Sequence, residues 1–219
     1  CAETKAPTIA NAKASTESSL ASKSLLLDIA LIGKEKVVAV GQHGHILLSD
    51  DGEQWQQANV PVQSTLTSVY FFNEKLGWAV GHDATILHTQ DGGQNWNIQQ
   101  YLPELEKPLF DIFFKNPQQG IAVGAYGQVF RSEDGGNSWR SEFHQEFLSP
   151  DDIDYLEEIK AEDEVAYLDE ISFILPHFNG LVQEGRTLYL LGEIGLLAKR
   201  NDYGMTWQPF DNFYQGSFF

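Results

Sequence analysis

The 219-residue sequence is poor in several things, and each shortage excludes something. It has one cysteine, at position 1, so no disulfide can form within the chain. It has 14 Lys and Arg against 31 Asp and Glu, a net charge of −17. Phosphate backbones are bound by basic faces, so nucleic acid is not the expected partner. No apolar run is long enough to cross a bilayer as a helix. The Gly-x-Ser-x-Gly elbow, the phosphate loop and the dinucleotide fingerprint are absent too, and with them the commonest signposts of catalysis. No cofactor is expected. What is present, 42% apolar and 12% aromatic residues, suits a sizeable folded core.

One stretch organises the rest. Ser132-Glu133-Asp134-Gly135-Gly136-Asn137-Ser138-Trp139 recurs as Thr89-Gln90-Asp91-Gly92-Gly93-Gln94-Asn95-Trp96. It recurs one residue shorter as Ser49-Asp50-Asp51-Gly52-Glu53-Gln54-Trp55, and in worn form around Asp202, Gly204 and Trp207. The Asp carboxylate of such a turn accepts hydrogen bonds from the backbone N–H groups that follow it. The Trp offers a large apolar plate at the start of the next strand. Asp51, Trp55, Asp91, Trp96, Asp134, Trp139, Asp202 and Trp207 are therefore structural expectations, not catalytic ones.

A second mark keeps the same register. Val40-Gly41, Val80-Gly81, Val123-Gly124 and Leu191-Gly192 lie upstream of the four boxes. The Gly steps are 40, 43 and 68 residues, and the Trp steps 41, 43 and 68. A period near 40 in strand-rich sequence predicts an all-β propeller of four-stranded blades with Asp-box turns. Four blades are visible, at 25–64, 65–105, 106–144 and 171–212 within a propeller region of 25–219. Residues 215–219 read as the start of another first strand, which predicts an incomplete propeller.

The last long step holds an insertion, 145–170. Ser149-Pro150-Asp151-Asp152 is a helix start, with Ser as cap and Pro in the first turn. Ile153, Leu156 and Ile159 would make a narrow apolar stripe. Residues 151–170 carry ten acids and one Lys, −9 of the total charge. At the other end, Ala, Ser, Thr and Lys dominate residues 2–24, which predicts a flexible linker over 1–24. A signal peptide that ends at a Cys leaves that Cys first, where it is lipidated. Cys1 is therefore the expected lipidation site. The expected location is a membrane surface facing the periplasm, the outer membrane favoured because Ala2 follows the Cys, or an equivalent lumen.

Propeller geometry divides the loops between two faces. The boxes join third to fourth strands on one face. The loops joining second to third strands, and one blade to the next, lie on the other. Polar and variable residues gather there, and loops on a rigid scaffold commonly carry function. The partner-binding candidates are His43, His82, Asp83, Tyr126 and Glu193, with Asp151, Asp152, Asp154, Glu157 and Glu158 of the insertion. His43, His45, His82 and Asp83 could together bind a transition metal, but histidines in surface turns are common, and no metal is expected. Glu142 and Glu146 lie close enough in sequence for a glycosidase pair, but in a chain so rich in carboxylates such a pair is not the expectation.

The repeats carry a resemblance. The boxes look like the Asp-box (BNR) repeats of sialidases and other propellers. The longer unit Leu66-Thr67-Ser68-Val69-Tyr70-Phe71, Gly77-Trp78-Ala79-Val80-Gly81, then 85–96, is similar to the repeat of the photosystem II stability and assembly factor family. The resemblance covers residues 25–210. It implies a non-enzymatic propeller, often lipid-anchored, that holds a membrane-protein intermediate. Photosynthetic members resemble one another in a basic patch for the client, and this acidic chain departs from them there. The expected partner is instead a basic, membrane-associated protein. The alternative is a sialidase-like glycoside hydrolase or a glycan-binding propeller. Sialidase chemistry uses three arginines. Here Arg131 and Arg200 run into boxes, Arg140 follows a box Trp, and Arg186 alone remains.

Overall fold

The computed structural model describes residues 12–201, 206–211 and 214–218. Cys1 and Asp202 lie outside the described residues. The chain divides into two compact units, one of residues 1–122 with 130–140 and the other of 123–129 with 141–219.

Among the described residues sixteen strands form four sheets of four, each in sequential order. The first holds β1 (Leu26–Ile32), β2 (Lys36–Gly41), β3 (Ile46–Ser49) and β4 (Gln56–Gln57). The second holds β5 (Leu66–Phe71), β6 (Gly77–Gly81), β7 (Thr85–Thr89) and β8 (Asn97–Gln100). The third holds β9 (Leu109–Phe114), β10 (Gly120–Gly124), β11 (Val129–Ser132) and β12 (Arg140–Glu142). The fourth holds β13 (Phe178–Glu184), β14 (Thr187–Gly192), β15 (Leu197–Asn201) and β16 (Gln208–Pro209). These are the blades that the repeat predicts. Second strands such as β6 and β10 are buried at every position. They are covered on both faces, which is why their sequences are continuously apolar rather than alternating. Each fully buried Val, Leu or Ile there stabilises the fold by roughly 1.5–3 kcal/mol.

The boxes are hydrogen-bonded staples. Thr89 Oγ1 donates to Asp91 Oδ1 at 2.9 Å and accepts from the Gly93 N–H at 3.0 Å. Asp91 Oδ1 then accepts from the N–H groups of Gln94 and Asn95 at 3.1 and 3.0 Å. Ser132 and Asp134 repeat the pattern, with Gly136 and Ser138 as backbone donors at 2.7 and 2.9 Å. Asp51 accepts from Glu53 and Gln54, both at 2.8 Å. The donors hold these carboxyls below the usual range. For Asp51 the Gln54 N–H is foremost, and for Asp134 the Ser138 hydroxyl. For Asp91 burial pushes the other way and is outweighed by Asn95 and Thr89.

The Val-Gly mark has its own cause. In three sheets the carbonyl of the residue before the first strand accepts the N–H that follows the Gly. Gln42 donates to Leu25, His82 to Thr65 and Glu193 to His177, at 3.0, 2.9 and 3.1 Å. The same carbonyl oxygen occupies the space a Cβ would need at Gly41, Gly81 and Gly192. The close approach goes with a bulge one residue later, between Leu26 and Asp28, Leu66 and Ser68, and Phe178 and Gly180.

Two expectations need correcting. The linker read over 1–24 does not extend through 12–24, which lies along the first sheet. The Ser15 N–H donates to the Val60 carbonyl at 2.9 Å, the Ser18 N–H to Gln57 Oε1 at 3.0 Å, and Ala21 is buried. Small polar residues have enough backbone and hydroxyl groups to dock on a sheet edge without a core of their own. Residues 214–218 form no strand. Gly195 donates to the Gly216 carbonyl and Phe218 to the Gly192 carbonyl, at 2.6 and 3.0 Å.

The carbonyl at Gly81 is backbone and cannot swing aside. Gly81→Ala is expected to lower the unfolding free energy by about 1–3 kcal/mol, as overpacking does. Urea denaturation followed by tryptophan fluorescence measures it.

Candidate functional site

The loops joining second to third strands share one turn. In the first sheet the Gly41 N–H donates to the His45 carbonyl and the His45 N–H to that of Gln42, at 3.1 and 3.0 Å. Gly124, Gln128 and Ala125 repeat this, as do Gly192, Leu196 and Glu193. At each tip a residue with a side chain is held left-handed: His43 (φ 59°), Asp83 (φ 61°), Tyr126 (φ 53°) and Ile194 (φ 56°). That conformation costs roughly 1–2 kcal/mol for an L-residue, and Ile194 is β-branched as well. Such strain persists only where the surroundings impose it, and it concentrates at functional positions.

The surroundings are the connectors between blades. Within the first unit, Ala84 donates to the Lys107 carbonyl and Leu102 to that of Asp83, at 2.9 and 2.8 Å. Asp83 also accepts the Ser64 hydroxyl, so its carboxylate is tied to a connector. His43 and His82 are exposed. His45 is turned inward, its Nδ1 paired with Ser24 Oγ at 3.0 Å. Burial, then the nearby His43, lowers its pKa. The two histidines of the His-x-His pair thus point to different environments.

Within the second unit, two sequence candidates are brought to one place. The Tyr126 N–H donates to His177 Nδ1 at 2.9 Å, which leaves that ring's proton on Nε2. The Tyr126 ring meets the His177 ring edge-on at 4.5 Å and the Phe173 ring at 5.1 Å. Glu193 Oε2 accepts the His177 N–H at 3.2 Å. Tyr126 and Glu193 are therefore joined through His177, with the exposed Phe173 and Ile194 alongside. The result is an aromatic patch with a carboxylate at its edge.

The acidic insertion leads into this patch. It folds as α1 (Pro150–Glu162) and α2 (Glu164–Glu170). Asp151, Asp154, Glu157 and Glu158 are exposed on α1. Asp152 is not free for a partner: it completes the capping box with Ser149. A short side chain three residues after the cap reaches back to it, as helix-start chemistry dictates. Of the apolar stripe, Leu156 is buried, Ile159 half-buried and Ile153 about a third exposed. Val165 and Leu168 of α2 are exposed among the acids.

Glu142 and Glu146 have other work. His144 is buried, with Glu142 3.5 Å from one ring nitrogen and Glu146 3.1 Å from the other. Glu146 also accepts the Trp207 N–H at 2.9 Å. Arg200 lies 4.4 Å from the centre of the Trp207 ring and is buried. In the first unit a polar cavity of about 440 Å³ beside the first box is lined by residues including Lys36, Asp50, Gln54, Gln56 and Gln94. Among the described residues no three of His, Cys, Asp and Glu converge in a way that suits a metal ion.

Sequence reasoning missed Phe173, His177 and Ile194. Ile194 had a signal, since Glu193-Ile194-Gly195 stands where Gln42-His43-Gly44 and Ala125-Tyr126-Gly127 stand. Phe173 and His177 had none, because their side chains belong to no motif that recurs between blades.

Comparison with known proteins agrees with the repeats. Residues 8–101 match the family model described as photosynthesis system II assembly factor YCF48. Over 48 residues the chain is 44% identical to the photosystem II assembly protein Ycf48 of Synechococcus sp. (strain JA-3-3Ab), 21% of this chain and 14% of that protein. Over 46 residues it is 37% identical to Ycf48 of Thermosynechococcus vestitus, 21% and 13% of the two chains. Among solved structures, YCF48 bound to a D1 peptide aligns at a TM-score of 0.57 with 19% identity, over 84% of this chain and 53% of that one. The Niastella koreensis GH74 enzyme aligns at 0.56 with 15% identity, over 84% and 30%. The structural likenesses concern the fold alone. This chain spans about half of the solved YCF48 chain and matches only a small part of the curated relatives. Over the matched residues its repeat is similar to that of photosystem II assembly factor-like BNR propellers.

The strain at the tips is measurable. Ile194→Gly is expected to raise stability by about 0.5–1 kcal/mol, the relieved left-handed cost less the added freedom of the unfolded chain. Thermal unfolding checks it. A loss of stability would show that the Ile194 side chain, not its backbone, governs the turn.

Proposed function

We propose that this chain is a non-enzymatic propeller scaffold that binds a partner protein through its tip loops and acidic insertion. The observation that carries the reading is the second unit's cluster of Tyr126, Phe173, His177 and Glu193, held by a strained turn beside helices of net charge −9. Exposed aromatic rings supply contact area at small entropic cost, and the carboxylates favour Lys and Arg. The partner we propose is basic and membrane-associated. A Ycf48 structure is described as bound to a D1 peptide, which supports a protein partner for this kind of propeller. The reading against an enzyme rests on Glu142 and Glu146, which support His144 and Trp207 rather than facing a cleft. A glycan-binding alternative has the polar cavity beside the first box in its favour, lined by amides as well as charges.

We place the scaffold at a membrane surface, anchored by lipid at Cys1 and facing the periplasm, with the outer membrane favoured, or an equivalent lumen. Acyl chains contribute roughly 0.8 kcal/mol per buried CH₂, so anchoring would concentrate the scaffold where a membrane-associated client is found.

Two experiments test these readings. In the first, the lipidated protein is used for pull-down with and without residues 151–170. The expected outcome is a specific partner whose capture weakens as salt rises and is lost on deletion. Unchanged capture without a salt effect would move the site elsewhere. In the second, a Cys1→Ser precursor is expected to leave the membrane fraction and to take up no palmitate. Retention of both would rule out the anchor.

A further inference from the structure

Within the first unit, the seam between the second and third sheets is closed by a glutamine. Gln99 is the extra residue of a bulge in β8, lying between the pairs Leu87–Ile98 and Ile86–Gln100. Its side chain accepts the Trp78 indole N–H at 3.1 Å, donates to the Gly135 carbonyl at 2.8 Å and lies against Gly136. Trp78 in turn stacks on His88 and on Phe114. The seam between the first and second sheets holds less side chain. By register Val38 stands where Trp78 does, and Leu48 where His88 does. In β4 no residue is extra: Gln57 pairs with Leu47, and the next N–H, of Ala58, goes to the Ile46 carbonyl at 2.8 Å. Nothing takes the place of Gln99. The polar cavity of about 440 Å³ lies along this seam, between the first Asp-box and Gln94 of the second, and it has the size of a small-molecule site.

The frame of the cavity is fixed by backbone bonds. The Asn59 N–H donates to the Gln94 carbonyl at 2.9 Å, and the Trp96 N–H to the Asn59 carbonyl at 3.1 Å. Asp51 holds the Gln54 N–H and Asp91 that of Gln94. The carboxamides on the wall fall into two groups. Gln57 spends its own on Ser15, Thr16 and Ser18, and Asn59 on Asn95. The side chains of Gln54, Gln56 and Gln94 have no partner among the described residues. Lys36 is paired with Asp50 at 3.7 Å, and Asp51 is occupied by its own box. Three carboxamides are therefore the recognition groups left over, and Leu48 and Ala58 supply an apolar part of the wall.

We infer that this cavity binds a neutral saccharide. Each free carboxamide offers donors and an acceptor on one edge, and neighbouring ring hydroxyls offer the same in return. The C–H face of the ring covers Leu48 and Ala58, as a few polar groups over an apolar wall require. The box aspartates have already fixed the backbone at Gln54 and Gln94, so binding costs little ordering beyond the side chains. The inference deepens the glycan-binding alternative above and rests on it. It leaves the tip-loop partner site as it is.

Two measurements on the full chain test it: a glycan array, and proton–nitrogen correlation spectra recorded with cellobiose and with diacetylchitobiose. The side-chain amide signals of Gln54, Gln56 and Gln94 are expected to shift with at least one of the two disaccharides, while that of Gln57 stays in place. The double variant Gln56→Ala, Gln94→Ala should bind about tenfold more weakly, the loss of two hydrogen bonds. Its melting temperature should not change, because both side chains are exposed. Array binding that survives the double variant would keep the glycan-binding reading and overturn the assignment to this cavity. An array that favours acidic glycans overturns it as well. An array with no neutral glycan bound, with spectra that neither disaccharide moves, overturns both.

Discussion

The contact on which most of this molecule depends is a single backbone hydrogen bond. In three sheets the carbonyl before the first strand accepts the N–H just after the second-strand Gly. The bond brings two backbones so close that no Cβ fits between them. It fixes where the second strand ends, places the bulge in the first strand and sets the tip turn that follows. A glycine that looks like a strand breaker is therefore the hinge between scaffold and site. Removing the donor or filling the space would disturb sheet and loop together.

The Asp-boxes do a different job at the opposite ends of the same sheets. Their carboxylates gather backbone N–H groups that the hairpin would otherwise leave to water, which keeps third and fourth strands in register. The Trp that ends the second and third boxes then packs on the neighbouring sheet. Trp96 lies in the core between the first and second sheets, and Trp139 in the core between the second and third. Hairpin and core are thus coupled: the box sets the angle at which the ring is presented. Local closure and blade stacking support one another, as a consistent fold requires.

The candidate site inverts this economy. There the backbone is held where isolated residues would not go, and the bulky tips face outward. Connectors between blades hold the strain, through Lys107 and Leu102 around the second tip and through His177 around the third. The insertion contributes in two ways. Its helices carry charge, and they lead into the segment that brings Phe173 and His177 to the Tyr126 ring. An acidic surface draws basic partners from a distance, while rings decide which of them stay.

The repeat made the blades legible from residues alone. Period, Gly and Trp are local or near-local properties, and each recurs at a spacing that only one architecture explains. The box bonds at Asp91 and Asp134, the cap at Ser149 and the Val-Gly turns follow from chemistry within a few residues. Tertiary structure decided what depends on contacts distant in sequence. Residues 12–24 looked like linker because they have no core of their own, yet they dock on groups of the first sheet some 40 positions away. Asp152 looked like a partner residue and is consumed by its cap. Tyr126 and Glu193, 67 positions apart, meet through a histidine that no motif marks. Ile29 and Val69 are near-synonyms in sequence, and one is bare while the other is buried. Burial is set by whether a neighbouring sheet is present, and no residue's own chemistry contains that information.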